Sequence, residues 1–282
     1  MGETIDWGID LGTTNSVIAV VDDGDVVVLK NYEGSDTTPS AVWMPRAGEI
    51  YVGRQARDRA EADPDNVATE FKLEMGLADA KRRFATAGVS LTPQQLSAEV
   101  LKSLRRDAAD RYDSPTSAVI TVPAAFTLNQ TRATMEAAEL AGFGASCPLI
   151  QEPTAAAFAY GANDSVDRCY WIVFDFGGGT FDAAVVSKAD DEVRVLNHAG
   201  DPYLGGKLID WALVDRILAP QAARELGLRD FHRNNEAWRR NFATLKLAAE
   251  QAKIQLSRVE QTTIVRELYD AQGRSERFEY VL

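Results

Sequence analysis

Two stretches of the sequence combine an aspartate with glycines and hydroxyl side chains. The first, GIDLGTT, runs from Gly8 to Thr14, and the second, VFDFGGGT, runs from Val173 to Thr180. Because glycine has no Cβ, the backbone N–H groups of such a turn can approach an anion closely, and the threonines add hydroxyl donors. We therefore predict that both turns bind phosphate groups. Their similarity predicts two related halves around a cleft.

Aspartates stand at matching positions in the two turns, at Asp10 and Asp175, and Asp182 follows the second turn. Carboxylates repel phosphate, so they fit such a site only if a divalent cation lies between them and the ligand. Mg²⁺ is held by few carboxylates, while water and phosphate oxygens complete its coordination. We therefore expect Asp10 and Asp175 to anchor Mg²⁺, with Asp182 as an outer partner.

Other phosphate-binding motifs do not fit these turns. The sequence has no G-x-x-x-x-G-K-[ST] stretch, and β-branched residues typical of strands follow both turns, so neither a P-loop nor a dinucleotide-binding fingerprint is indicated. One such turn alone is equally consistent with a tight hairpin. Two matching turns with matching aspartates favour a ligand site.

The elements around the turns alternate between strands and helices. Capping boxes predict two helix starts, at Thr92 with Gln95 and at Thr127 with Gln130. Further helices are predicted from Pro153, from Gly206 to Leu218 and from Asn235 to Arg258, and a hairpin turns at 270–273. One short apolar strand precedes the helix that starts at Thr127, and another precedes the helix from Pro153. This order predicts the α/β class.

The composition limits the function classes. The 282 residues include 42 acidic and 30 basic ones, for a formal net charge of −12, which argues against general binding to nucleic acid or to an anionic membrane. No apolar run is long enough to span a bilayer, and the first residues do not resemble a secretory signal. Cys147 and Cys169 form no disulfide framework. We read them as buried thiols and predict a cytoplasmic location.

Five motifs in order along the chain resemble one family. They are GIDLGTTNSVIAV, TVPAAF, QEPTAAAFAYG, FDFGGGTFDAAVV and HAGDPYLGGKLID. Together they resemble the nucleotide-binding domain of the heat-shock protein 70 (DnaK-type) chaperone family, within the actin and hexokinase ATPase superfamily. The resemblance implies an actin-like (ribonuclease H-like) α/β domain of two lobes, with ATP or ADP bound in the cleft between them.

The resemblance implies roles for individual residues. Asp10, Asp175 and Asp182 match the acids around Mg²⁺ and its waters, and K⁺ is a second candidate cation. The catalytic set is Lys72 of FKLEMG, Glu152 of QEPT, Asp175 and Thr180. The phosphate loops comprise Gly12, Thr13, Thr14, Asn15, Gly177, Gly178, Gly179 and Thr180. Without the resemblance, Lys72 reads as a solvated lysine of a basic stretch.

The resemblance also implies a nucleoside pocket and four subdomains. Gly205 and Gly206 match the turn that enters the upper part of the second lobe, and Glu250, Lys253 and Ser257 match residues that line the adenosine. The expected subdomains are a lobe I base at 1–39 and 90–166, a shortened upper part at 40–89, a lobe II base at 167–204 and its upper part at 205–282.

The chain ends on an apolar strand, so we expect a fragment with an incomplete second lobe. The resemblance implies J-domain and nucleotide-exchange co-chaperones as partners, and unfolded polypeptide bound through a missing C-terminal domain. Several positions depart from the family pattern. Ile254 and Thr131 replace arginines, Pro148 replaces a basic residue, Lys207 replaces an acid, and the segment 77–91 is short.

Three functions remain open from the sequence. The first is an Mg²⁺-dependent ATPase module of a chaperone. The second is a module that binds nucleotide without hydrolysing it and acts as a scaffold, which the departures at Thr131, Pro148 and Lys207 favour. The third is a sugar or acetate kinase, but no separate acidic general base is visible for it.

Overall fold

A computed structural model describes residues 5–144, 147–161, 168–189, 192–201 and 203–282. The chain forms two compact units. Unit 1 comprises residues 1–57 and 66–204, and unit 2 comprises 58–65 and 205–282. The two glycine turns both belong to unit 1. The division into four subdomains stays a prediction, and its boundary at 166/167 lies outside the described residues.

The elements follow one another along the chain as strands, α-helices and short helical turns. The strands are β1 Trp7–Leu11, β2 Asn15–Asp22, β3 Asp25–Val28, β4 Thr38–Pro39, β5 Ala41–Arg46, β6 Glu49–Val52, β7 Val67–Thr69, β8 Arg82–Phe84, β9 Val89–Leu91, β10 Val119–Val122, β11 Leu149–Gln151, β12 Arg168–Phe176, β13 Phe181–Ala189, β14 Glu192–Asp201, β15 Thr263–Tyr269 and β16 Ser275–Val281. The α-helices are α1 Arg54–Asp58, α2 Pro93–Ala109, α3 Leu128–Leu140, α4 Glu152–Gly161, α5 Gly206–Leu213, α6 Ala219–Leu226 and α7 Arg239–Leu256. Turns of 3₁₀ helix cover Pro64–Asn66, Phe71–Glu74 and Glu236–Trp238, and a π-helical segment covers Val214–Leu218.

The largest sheet of unit 1 carries the first glycine turn. Its strands lie in the order β11–β10–β1–β2–β3, with β4 also paired to β2. β10 is parallel to both β1 and β11, whereas β2 is antiparallel to β1. Side chains alternate between the faces of a strand, so Ile9 and Leu11 enter the core while Asp10 lies on the opposite face. The sheet therefore presents Asp10 just before the turn.

Two helices pack beside this sheet, and both predicted capping boxes are confirmed. Thr92 Oγ1 accepts from the backbone of Gln95, whose side chain accepts in return from Thr92 N–H. Thr127 and Gln130 make the same reciprocal pair at the start of α3. Each box satisfies two backbone donors of a helix end.

A three-stranded antiparallel sheet, β12–β13–β14, carries the second glycine turn. Its register places Asp175 opposite Asp182, and Asp182 opposite Gly200. Ala184 and Val186 of β13 pack with Ala157 of α4 in a small core on one face. Since the partners of a cross-strand pair share a face, the two aspartates and Gly200 lie on the same side as this core.

Unit 2 is built around α7 and the hairpin of β15 and β16. Its core includes Leu218, Phe242, Leu245, Leu268 and Phe278. The predicted hairpin is confirmed, with Tyr269 paired to Ser275 across the turn. No helix in the described part of either unit combines the length and apolarity needed to cross a membrane.

Two helix predictions in unit 2 were wrong in their bounds. The helix that begins at Gly206 was expected to stop before Pro220, but it continues through the π-helical segment into α6 and ends at Gly227. Pro220 has no backbone N–H and cannot donate a helical hydrogen bond. It is tolerated because the wider π-helical turn before it accommodates this missing bond. The other helix begins at Arg239, since residues 236–238 form a 3₁₀ turn capped by Asn235.

Candidate functional site

The first glycine turn joins β1 to β2 through a backbone with no room for a side chain. A Cβ added to Gly12 would lie 2.2 Å from the carbonyl oxygen of Asn15. Thr13 is buried, and Thr14 Oγ1 is a buried hydroxyl with no hydrogen-bond partner among the described residues. A hydroxyl left without a partner is costly in a finished core. Thr14 Oγ1 is therefore a candidate donor to a ligand.

The second turn joins β12 to β13 and closes with a bond from Gly177 N–H to Thr180 O of 2.9 Å. A Cβ on Gly179 would lie 2.8 Å from Leu73 Cδ2 and 3.1 Å from Thr13 Cγ2. Glycine at this position thus lets the second turn approach the first one. The sequence-predicted phosphate residues Gly12–Asn15 and Gly177–Thr180 are brought together within unit 1.

The carboxylates lie at the strand ends beside these turns. Thr121 Oγ1 donates to Asp10 Oδ1 at 2.7 Å. Asp182 is only 4% exposed, and its Oδ1 has no hydrogen-bond partner among the described residues. Burial raises the pKa of Asp182, and the neighbouring Asp175 charge raises it further, while His198 and Lys72 oppose the shift. Two close carboxylates, one with an unpartnered oxygen, fit a cation.

No group of three or more His, Cys, Asp or Glu side chains in the described ranges is arranged to hold a metal ion. Mg²⁺ does not require such a cage when it is bound with a phosphate ligand, because water and phosphate oxygens fill most of its coordination positions. The donor set around Asp182 therefore fits an ion that arrives with nucleotide.

Lys72 and Glu152 form an ion pair beside the turns, in which Lys72 is buried and Glu152 is partly buried. Lys72 lies in the 3₁₀ turn Phe71–Glu74 and is 6% exposed, and its Nζ donates to Glu152 Oε1 at 2.9 Å. The Phe126 ring lies 5.5 Å from the ammonium. Burial raises the pKa of Glu152, opposed by Lys72 and reinforced by Asp10 and Asp175. A cation and a carboxyl group are thus held out of solvent at one position.

A cavity of about 330 Å³ adjoins this pair. Thr13 and Thr180 line it from the two turns, together with Lys72 and Asp182. Residues of the loop after Lys72 and of the segment 123–126 before α3 supply its apolar wall, and the first turn of α3 adds polar side chains. Pockets with few convergent polar groups are typical ligand sites. The cavity is therefore lined by four of the predicted site residues, whereas Glu152, Asp10 and Asp175 are not among the residues that line it.

Sequence reasoning missed Gly200, which leaves room for the Asp182 carboxylate. A Cβ at Gly200 would lie 2.6 Å from Asp182 Oδ1 and 2.5 Å from the carbonyl oxygen of Phe181. The signal is present in the motif HAGDPYLGGKLID, where this glycine precedes the glycine pair Gly205 and Gly206 by five residues.

The predicted adenosine residues lie in unit 2. Gly205 and Gly206 begin α5, and Glu250, Lys253 and Ser257 lie at the C-terminal end of α7. Lys253 Nζ donates to Gly206 O at 2.9 Å and forms an ion pair with Asp210 Oδ1 at 2.6 Å. Asp210 is fully buried, and burial raises its pKa while Lys253 lowers it. The contacts of Lys253 thus include a structural one that the sequence did not predict, and its adenosine role stays a prediction.

Replacing Lys253 by alanine is expected to destabilise unit 2 by about 3–5 kcal/mol, because the buried Asp210 carboxylate loses its charge partner. Urea unfolding followed by tryptophan fluorescence measures this loss. The double variant Lys253→Ala with Asp210→Asn removes the stranded charge and is expected to recover much of the stability. Equal stability of the wild type and the single variant would contradict the structural role of the pair.

The paired turns, the buried lysine and the α/β topology are those of the class of nucleotide-binding domains. A family model described as Hsp70 protein matches residues 6–278 of the 282-residue chain. The chain belongs to the Hsp70 family, so the resemblance read from the five motifs is confirmed, as is the α/β actin-like fold class. Membership indicates a chaperone nucleotide-binding domain of a family that binds ATP and ADP.

Proposed function

We propose that this domain binds Mg²⁺-ATP at the two glycine turns and hydrolyses it to ADP and phosphate. The observation that carries the proposal is the convergence of Lys72, Thr13, Thr180 and Asp182 on one cavity, with Lys72 paired to Glu152. Phosphoryl transfer needs positioning and positive charge more than covalent chemistry. These residues offer both.

Each residue has a role in this proposal. The Lys72 ammonium stabilises negative charge that develops on the terminal phosphate, and Thr13 and Thr180 donate hydrogen bonds to its oxygens. Glu152 holds Lys72 in place through Oε1 and orients the attacking water. Asp10, Asp175 and Asp182 would hold Mg²⁺, which neutralises phosphate charge when bound. Gly205, Gly206, Glu250, Lys253 and Ser257 are proposed to line the adenosine.

Partners, a second cation and a movement of the lobes are also proposed for this domain. J-domain and nucleotide-exchange co-chaperones, and unfolded polypeptide bound by a further domain, are proposed partners that follow from the family. K⁺ is proposed as a second cation. Hydrolysis would change the relative position of the lobes and so signal to an attached domain.

A second candidate function is nucleotide binding without turnover. Thr131, Pro148 and Lys207 support it, because they depart from the family pattern at surfaces expected to meet the usual partners of the family. Under this alternative the domain acts as a nucleotide-dependent scaffold.

The proposal is tested first by calorimetric titration with ADP and ATP, in Mg²⁺ and then in EDTA. Mg²⁺-dependent binding is expected in the wild type, together with release of phosphate from ATP in the absence of any acceptor. Binding without release would favour the scaffold, and release only with an added acceptor would favour a kinase. Absence of binding would overturn the proposal.

The variant Asp175→Ala is expected to lose most of the Mg²⁺-dependent increment of nucleotide affinity while it keeps its circular dichroism spectrum. Asp25→Ala, at the exposed start of β3, is a matched control that is expected to bind as the wild type does. Retained Mg²⁺-dependent affinity in Asp175→Ala would remove Asp175 from the site.

A further inference from the structure

One buried serine, Ser40, makes two hydrogen bonds to the first glycine turn. Ser40 follows β4, and its Oγ donates to Gly12 O at 2.7 Å. Its backbone N–H donates to Thr14 O at 2.9 Å. Ser16 and Ser40 are both almost fully buried, and their hydroxyl oxygens lie 2.9 Å apart. Because the single Ser40 proton goes to Gly12, Ser16 donates to Ser40.

These two bonds fix the direction of two peptide groups. In a planar trans peptide, the C=O of one residue and the N–H of the next point in opposite directions. With Gly12 C=O held toward Ser40, the N–H of Thr13 points away from it. With Thr14 C=O held the same way, the N–H of Asn15 also points away. Ser40 thus directs two N–H groups of the same turn away from itself.

We propose that Ser40 is a positioning residue that presents the Thr13 and Asn15 N–H groups to the anionic oxygens of the nucleotide. The inference rests on the proposed function. Ser40 acts through the turn rather than on the ligand. Its contribution is preorganisation, because a turn whose carbonyl groups are already held loses less freedom when the phosphate binds.

The neighbouring Ser16 supplies a matched control. Ser16→Ala and Ser40→Ala both delete the bond between the two hydroxyls, but only Ser40→Ala frees the Gly12 carbonyl. The bond from Ser40 N–H to Thr14 O survives in both, so both variants are expected to fold. Thermal unfolding of the two variants measures any shared loss of stability.

The test compares Mg²⁺-ADP with adenosine, by calorimetry and by competition, for the wild type and both variants. Ser40→Ala is expected to bind ADP about five- to tenfold more weakly than Ser16→Ala does. Adenosine has no phosphate, so its affinity is expected to be equal in the two variants. A purely structural role would lower the melting temperature without separating ADP from adenosine.

The outcomes separate the inference from the function on which it rests. If the wild type binds ADP and the two variants bind it equally, Ser40 is not a positioning residue and the proposed function stands. If Ser40→Ala weakens adenosine as much as ADP, the effect is not on the phosphate turn and the inference is also overturned. If the wild type binds no ADP, the proposed function fails first.

Discussion

Replacing Lys72 by alanine is expected to lower the rate of ATP hydrolysis by about 100-fold or more. Under the proposed function, nucleotide affinity in Mg²⁺ changes by less than about threefold, because the glycine turns and carboxylates remain. The reason is that the Lys72 ammonium is buried at the cavity, where a fixed charge acts on the developing phosphate charge without competition from solvent.

Lys72→Ala also removes the charge partner of Glu152, so it is expected to affect stability as well as hydrolysis. Glu152 is held by Lys72 at 2.9 Å, and Lys72 is the main influence that lowers the pKa of this largely buried carboxyl group. Without Lys72, burial and the charges of Asp10 and Asp175 favour the protonated form. Some loss of stability is therefore expected in addition to the loss of hydrolysis.

A second variant separates the two effects. Lys72→Ala combined with Glu152→Gln removes the stranded carboxyl group, so it is expected to recover stability but not hydrolysis. Lys81→Ala removes an exposed lysine from the same stretch of chain and is expected to leave both unchanged. Single-turnover release of phosphate measures the rate. Turnover of the Lys72→Ala variant at the wild-type rate would remove Lys72 from the catalytic set.

Local signals in the sequence predicted much of the fold. The capping boxes at Thr92 and Thr127 are confirmed because a hydroxyl and an amide three residues apart satisfy helix donors whatever the surroundings are. The end of the helix at Pro220 was predicted wrongly, since the outcome there depends on a π-helical turn that the surrounding packing of unit 2 stabilises. Local propensity is overridden where tertiary contacts compensate.

In the candidate site, too, local patterns were predictable from the sequence, while positions set by tertiary contacts were not. Glycines and threonines in two similar turns are visible as a pattern, whereas Lys72 reads as surface without the family resemblance and proves to be buried. Its position depends on Glu152, which is 80 residues away in the chain. Ser40 likewise acts through a long-range contact with Gly12, and Gly200 through one with Asp182. No periodicity in the sequence predicts either contact.

The substitution Asp182→Asn is expected to raise the melting temperature of the nucleotide-free domain by a few degrees and to remove most of the Mg²⁺-dependent nucleotide affinity. Asp182 is buried beside Asp175, and burial, followed by the Asp175 charge, raises its pKa. Its Oδ1 has no hydrogen-bond partner in the described part of the chain. Residues that serve a ligand commonly cost stability when the ligand is absent.

The pH dependence of this gain follows from the direction of the shift. A carboxyl group whose folded pKa is raised binds its proton more tightly in the folded state, so its charge destabilises the fold above the folded pKa. The gain from Asp182→Asn is therefore expected to be larger at pH 7 than at pH 4. It fades as the pH falls toward the ordinary carboxyl pKa of about 4, below which the group is neutral in both states.

Asp107→Asn provides the control that separates stability from binding. Asp107 in α2 is also buried, burial likewise raises its pKa, and its Oδ2 lacks a partner among the described residues. Its substitution is expected to change stability in the same direction and to leave nucleotide binding unchanged. Melting curves between pH 4 and 8, with calorimetry in Mg²⁺ and EDTA, test both variants. A ligand role predicts two results together, a gain in stability and a loss of Mg²⁺-dependent binding. If Asp182→Asn instead lowered the melting temperature at pH 7, or kept the full effect of Mg²⁺ on affinity, Asp182 would be a structural residue.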